Sequence, residues 1–187
     1  MTLTARLFCL LVPLLLAACG SPSLYAVSKP AVTEQTQIAF ASVEVRNVSL
    51  PSYAAADEIY LQSEDGTLAG SSDVLWADSP DRAIALELSQ DLARLTGRRV
   101  ASEPWPFDAL PVARLEIRFA DLVAQTSGRF VASGQYFVAV SDGRAERSGL
   151  FDLSVPFDPA QGASAIARAR GQLILDLASY IARNGLK

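Results

Sequence analysis

Leu115-Glu116-Ile117-Arg118-Phe119-Ala120 places its large apolar residues at every second position, the period at which an extended chain returns side chains to one face. It predicts a long strand with Leu115, Ile117 and Phe119 turned to a core. Thr126-Ser127-Gly128 then reads as a turn, residues 130–140 as a strand running back, and Ser141-Asp142-Gly143-Arg144 as a tight hairpin. A third strand follows, with Phe151, Leu153 and Val155 on one face. Together these predict an antiparallel meander.

On either side of it the period changes to that of a helix. Asp78-Ser79-Pro80-Asp81 reads as a helix start, with Ser79 as cap, Pro80 at the first helical position and Asp81 complementing the dipole. Ile84, Leu88, Leu92 and Leu95 then form one stripe, which Gly97 stops. A last helix is expected from Asp158-Pro159, with Ile166, Leu173, Leu177 and Ile181 on one face and Asn184-Gly185 at its end. Arg168, Arg170 and Arg183 are read as its solvated side. Two amphipathic helices packed on a mostly antiparallel sheet make a two-layer α+β domain. Upstream, Val43 and Val45 alternate with Glu44 and Arg46, then Val48 and Leu50 continue in the opposite phase, as at a β-bulge. Residues 58–62 read as a short strand. No internal repeat and no second domain are evident.

The composition is restrictive. Among 187 residues there is no histidine, and Cys9 and Cys19 are the two cysteines. Ser-His-Asp and Cys-His nucleophiles, His/Cys zinc sites and a disulfide framework are thereby excluded. A formal net charge of −4 removes the electrostatic drive for nucleic acid. There is no phosphate-cradling glycine loop and no acidic spacing suited to calcium. Asp57/Glu58 and Glu64/Asp65 sit in or beside turns and read as solvated charge. No catalytic residue, no metal site and no cofactor is therefore expected.

The N-terminus is more specific. Arg6 precedes an apolar run over residues 7–16, only ~15 Å as a helix and about half a bilayer core. That fits a signal h-region rather than a membrane span. Leu16-Ala17-Ala18-Cys19-Gly20 follows, and it resembles a bacterial lipobox in which Cys19 would be acylated and become the first mature residue. The alternative is an ordinary secretory signal with an incidental cysteine. On this reading residues 1–18 are a signal peptide, 19–37 a lipidated N-terminus and tether, and 38–187 the folded domain. Leu24-Tyr25-Ala26-Val27 interrupts the tether as a candidate edge strand. Gly20 in place of Asp at the second mature position favours the outer membrane by resemblance to enteric sorting rules.

Loop aromatics are the remaining candidate site residues. Tyr53, Trp76, Trp105 and Phe107 could anchor a partner protein, contact lipid chains, or fold inward over the ends of the sheet.

The order of these features resembles the ABC-type transport auxiliary lipoproteins, the PqiC-like family. The matching elements are Cys19-Gly20-Ser21-Pro22, Leu24-Tyr25-Ala26-Val27, Val43-Glu44-Val45, Val48-Ser49-Leu50-Pro51-Ser52-Tyr53, Ile59-Tyr60, Trp76-Ala77-Asp78, Asp91-Leu92-Ala93, Trp105, Gly134-Gln135-Tyr136-Phe137-Val138 and Leu177-Ala178-Ser179-Tyr180-Ile181-Ala182. Ala54-Ala55-Ala56 and Leu75 stand where the family usually has arginine, so no contact is carried over at those positions. The resemblance implies a non-catalytic, outer-membrane-anchored periplasmic subunit. Its partners would be an MCE-domain protein with its permease and ATPase, serving phospholipid transport and envelope integrity. A homo-oligomer fits the family as well. The alternatives are a lipoprotein that itself carries lipid in an apolar groove, and a structural envelope lipoprotein that binds another assembly.

Overall fold

A computed structural model describes residues 21–187. The elements, in chain order, are β1 (Ser23–Tyr25), β2 (Ser42–Val45), α1 (Ser52–Ala55), β3 (Leu61–Gln62), β4 (Leu68–Ala69), β5 (Val74–Trp76), α2 (Pro80–Thr96), β6 (Arg99–Ser102), β7 (Ala113–Gln125), β8 (Arg129–Val140), β9 (Arg147–Pro156) and α3 (Ala163–Asn184). The fold is α+β.

The alternating stretch forms β7, the central strand. Leu115 and Ile117 are fully buried on its inner face and Phe119 nearly so. β8 pairs antiparallel with β7 and with β9, which places Phe130, Ala132, Tyr136 and Val138 beside them on the inner face. On its other side, β7 is flanked in parallel by β2 along its first half and by β3 along its last residues. β6 extends the sheet beyond β2 in parallel, and β4 extends it beyond β3 antiparallel. The sheet is therefore mixed. The alternation at Val43 and Val45 and the strand expected over residues 58–62 are present as β2 and β3, but their parallel pairing escapes a sequence reading because the strands are two to four residues long and pair with partners remote in the chain.

The phase change after Val45 has the expected origin. Arg46 N–H donates to Leu115 O (2.9 Å) and Ser49 N–H to Ile117 O (3.0 Å). Three residues advance on one strand for two on the other, so one residue is extra. Val48 thereby turns into the core. The strand expected over residues 58–62 is shorter than its pattern. Glu58 bridges to Leu75, and the chain then crosses to β7, where only β3 forms.

β8 carries Gly134 between Phe119 and Phe151, whose rings meet edge-to-face at 5.4 Å. A Cβ there would lie 2.2 Å from Arg118 O and 2.8 Å from Phe151 Cζ. Gly134→Ala should therefore cost about 1–3 kcal/mol by overpacking, read as a lowered denaturation midpoint with unchanged m-value.

α2 and α3 pack side by side on the inner face. Ile84, Leu88 and Leu92 of α2 and Leu173, Leu177 and Ile181 of α3 are fully buried. Ser79 occupies the N-cap, but its hydroxyl donates to Asp81 Oδ1 (2.7 Å) and caps no backbone N–H. The last helix begins later than expected. Asp158 caps a single 3₁₀ turn, Pro159–Gln161, accepting from Ala160 N–H, and Gly162, at φ 62°, breaks it from α3.

Two expectations need correction. Residues 23–37 are not a free tether. β1 pairs in parallel with β5, Arg94 donates to Pro30 O (3.2 Å), and Thr36 N–H donates to Leu95 O (2.7 Å). Ser28 O comes so close to α3 that a Cβ on Gly171 would meet it at 2.4 Å. The polar composition misleads because Tyr25 and Val32 suffice to pin the segment to the core. The second correction concerns Arg170, which is 2% exposed and far from a solvated face.

Candidate functional site

Arg170 sits in mid-α3, one turn after Ile166 and one before Leu173, and so points into the seam with α2. Its Nη2 donates to Glu87 Oε1 at 3.2 Å, and its guanidinium lies 4.5 Å from the centroid of the Trp76 ring. Arg170 Nε and Glu87 Oε2 are both buried without a hydrogen-bond partner. Burial pushes the Glu87 carboxyl above its ordinary range against the opposing pull of Arg170, and burial also lowers the Arg170 guanidinium. Trp76 is thus a wall of an internal ion pair, and its backbone N–H donates to Asp57 O (2.7 Å). Tyr53 is likewise half-buried, packed on the core with its hydroxyl 3.4 Å from Asp121 Oδ1. Burial raises the Tyr53 hydroxyl.

The other two aromatics lie together in the connection between β6 and β7. Trp105 Nε1–H donates to Ala109 O (2.7 Å), which closes the loop on itself. Phe107 meets Trp105 edge-to-face at 5.0 Å and lies under the Arg99 guanidinium, also at 5.0 Å. The braced loop then exposes apolar surface: Phe107 is 44% exposed, Leu110 74%, and Val112 is exposed beside them. Leu110 and Val112 escaped the sequence reading although they follow Phe107 in the same Pro-rich stretch. Leu24 and Leu150 are also largely exposed. Cys19 and the signal segment lie outside the described residues.

Between sheet and helices, the space lined by Tyr53, Trp76, Ile84, Phe130 and Arg170 is about 20 Å³, room for about one water and far below the several hundred Å³ that a lipid-sized ligand fills. A larger concavity, about 620 Å³, is open to solvent on β7–β9, where Leu150, Phe119 and Phe151 meet Arg118 and Asp152. Among the described residues, no group of His, Cys, Asp and Glu side chains could hold a metal ion. No described helix is long and apolar enough to cross a membrane.

The model of the ABC-type transport auxiliary lipoprotein component family matches residues 24–182. The chain belongs to that family. As an ABC-type transport auxiliary lipoprotein it is an auxiliary component of a transport system and a protein of the cell envelope. The match begins at Leu24, in agreement with the docking of residues 23–37 on the domain. The fold recurs in a solved structure of an uncharacterized protein, 19% identical over 88% of this chain and 98% of that one, with a TM-score of 0.70. It recurs in protein XCC0632 from Xanthomonas campestris, 16% identical over 87% of this chain and 96% of that one, with a TM-score of 0.65. No curated protein matches this auxiliary lipoprotein.

Proposed function

We propose that this auxiliary lipoprotein is a non-catalytic docking subunit of an MCE/ABC-type phospholipid transport system, acylated at Cys19 and held at the outer membrane facing the periplasm. The observation that carries this reading is the family match across nearly all described residues. The surface agrees with docking: Trp105 braces a loop along which Phe107, Leu110 and Val112 face solvent, the kind of apolar anchor that dominates protein interfaces. Tyr53 and Trp76, turned inward, hold the fold. The space between sheet and helices beside Tyr53 and Trp76, about 20 Å³, is too small for an acyl chain and disfavours carriage there. Self-association of anchored copies belongs to the same reading, and light scattering of the detergent-solubilised protein would report it.

The test is capture of the tagged, membrane-anchored protein from its own envelope, with mass spectrometry of proteins and lipids. Recovery of an MCE protein with its permease and ATPase is expected. Stoichiometric lipid without those subunits would replace docking by carriage. The paired change Phe107→Asp and Leu110→Asp should lower recovery about tenfold or more and leave the melting temperature unchanged. Undiminished recovery would remove the loop from the interface.

A further inference from the structure

The docking of residues 23–37 fixes how the domain can stand on its membrane. A free tether of that length would let the domain wander over ~25 Å. Instead, Ser23 N–H donates to Asp73 O (2.8 Å) and Ala77 N–H to Tyr25 O (3.0 Å), so β1 is already part of the folded body. Three residues, Gly20, Ser21 and Pro22, lie between Cys19 and Ser23, and the four Cα steps reach at most ~14 Å fully extended. This step rests on the proposed acylation of Cys19.

β1 presents Tyr25 to the core and Leu24 outward, 62% exposed and in register with Leu75 of β5. An exposed leucine five residues from a bilayer anchor is within reach of the headgroups. The opposite end of the molecule is equally defined. α2 starts at Pro80, directly after β5, and its 17 residues rise ~25 Å. Phe107 lies against Arg99, three residues beyond the end of α2. The β1–β5 edge and the apolar loop therefore occupy opposite ends of α2.

We infer that the β1–β5 edge rests on the phospholipid surface with Leu24 in the headgroup layer, so that α2 stands away from the membrane and presents the Phe107–Leu110 loop on the far side. Asp57 and Asp73 lie around this edge, and Asp78 beside it is paired with Arg82. The first two confine the contact to Leu24 and Leu75 and favour zwitterionic over strongly anionic lipid.

Leu24→Cys and Leu110→Cys, made separately in the full lipidated protein, test this directly, because an acylated Cys19 leaves each new thiol as the single labelling site. Each variant is spin-labelled and reconstituted in vesicles of phosphatidylethanolamine with minor phosphatidylglycerol. Flotation is scored first, and then accessibility to oxygen, which partitions into lipid, against a nickel chelate, which stays in water. The oxygen-to-nickel ratio is expected to be severalfold higher at position 24 than at 110, with the difference shrinking as phosphatidylglycerol is raised. Equal ratios in protein that floats would overturn the orientation and leave the anchor intact. Protein that fails to float would overturn the anchor reading and this inference with it.

Discussion

Arg170→Ala is expected to destabilise the domain by about 3–5 kcal/mol, the usual cost of stranding one partner of a buried ion pair. The loss has three parts. Glu87 is left in the seam between α2 and α3 without its counter-ion and with Oε2 already unpartnered, so it bears an uncompensated charge or takes up a proton at a cost that grows with pH. The Trp76 ring loses the cation above it. A cavity opens between the helices beside Ile166 and Leu173. Replacing both charges, Arg170→Met with Glu87→Leu, should recover most of the stability, because apolar groups of similar volume carry no desolvation cost. A double-mutant cycle in urea measures both. If Arg170→Ala costs less than 1 kcal/mol, roughly the value of an exposed pair, the side chain is solvated after all.

The same pair sets a pH dependence. Burial raises the Glu87 carboxyl above its ordinary value, with Asp91 and Asp78 adding to the rise and Arg170 and Lys29 opposing it. A carboxyl raised in the folded state holds its proton more tightly there than in the unfolded chain, so its contribution falls as pH climbs through the ordinary Glu range. Removing Arg170 widens that gap. The Arg170→Ala deficit should therefore be smallest at the acid end, below the ordinary Glu range, where Glu87 is protonated in both states, and grow toward pH 7. Urea titrations at the two ends of that range would show it, and a deficit independent of pH would place the cost in packing alone.

The sequence makes legible whatever has a period. The alternation at Leu115, Ile117 and Phe119, the turns at Gly128 and Gly143, and the leucine stripe of α2 each announce an element through local geometry, and the structure contains them. β2 and β3 are foreshadowed by Val43/Val45 and by residues 58–62, but their parallel partners, like those of β6, depend on crossovers that no local pattern encodes. Arg170 was legible in principle. It lies four residues after Ile166 and three before Leu173, inside the apolar stripe of α3, so its position argues for burial where its charge alone suggests the surface. Glu87 has the same relation to Ile84, three residues earlier. Of the aromatic candidates, sequence identifies the residues but not their direction: Trp76 turns inward under a guanidinium, whereas Phe107 is held outward by a loop that Trp105 closes. Composition fails most clearly at residues 23–37, where a few apolar side chains and backbone bonds outweigh a polar average.

Cys19→Ala, exported behind an ordinary cleavable signal, should move the protein entirely from the membrane to the soluble periplasmic fraction and abolish incorporation of labelled fatty acid. The effect is all-or-none because the two contributions differ so widely. Acyl chains contribute ~0.8 kcal/mol for each buried methylene, and several together attach a protein irreversibly. Leu24, fully transferred, contributes only about 1.5–3 kcal/mol, too little to retain a domain whose net charge is negative. The melting temperature should not change, since Cys19 precedes β1, the first element of the described residues. Retention in the membrane without fatty-acid label would refute acylation at this residue. The released form also separates two roles. If it still captures the transport partner when added in excess, docking resides in the domain and the anchor supplies proximity; if it does not, the partner engages the auxiliary lipoprotein only when the membrane holds the Phe107–Leu110 loop at a fixed height and direction.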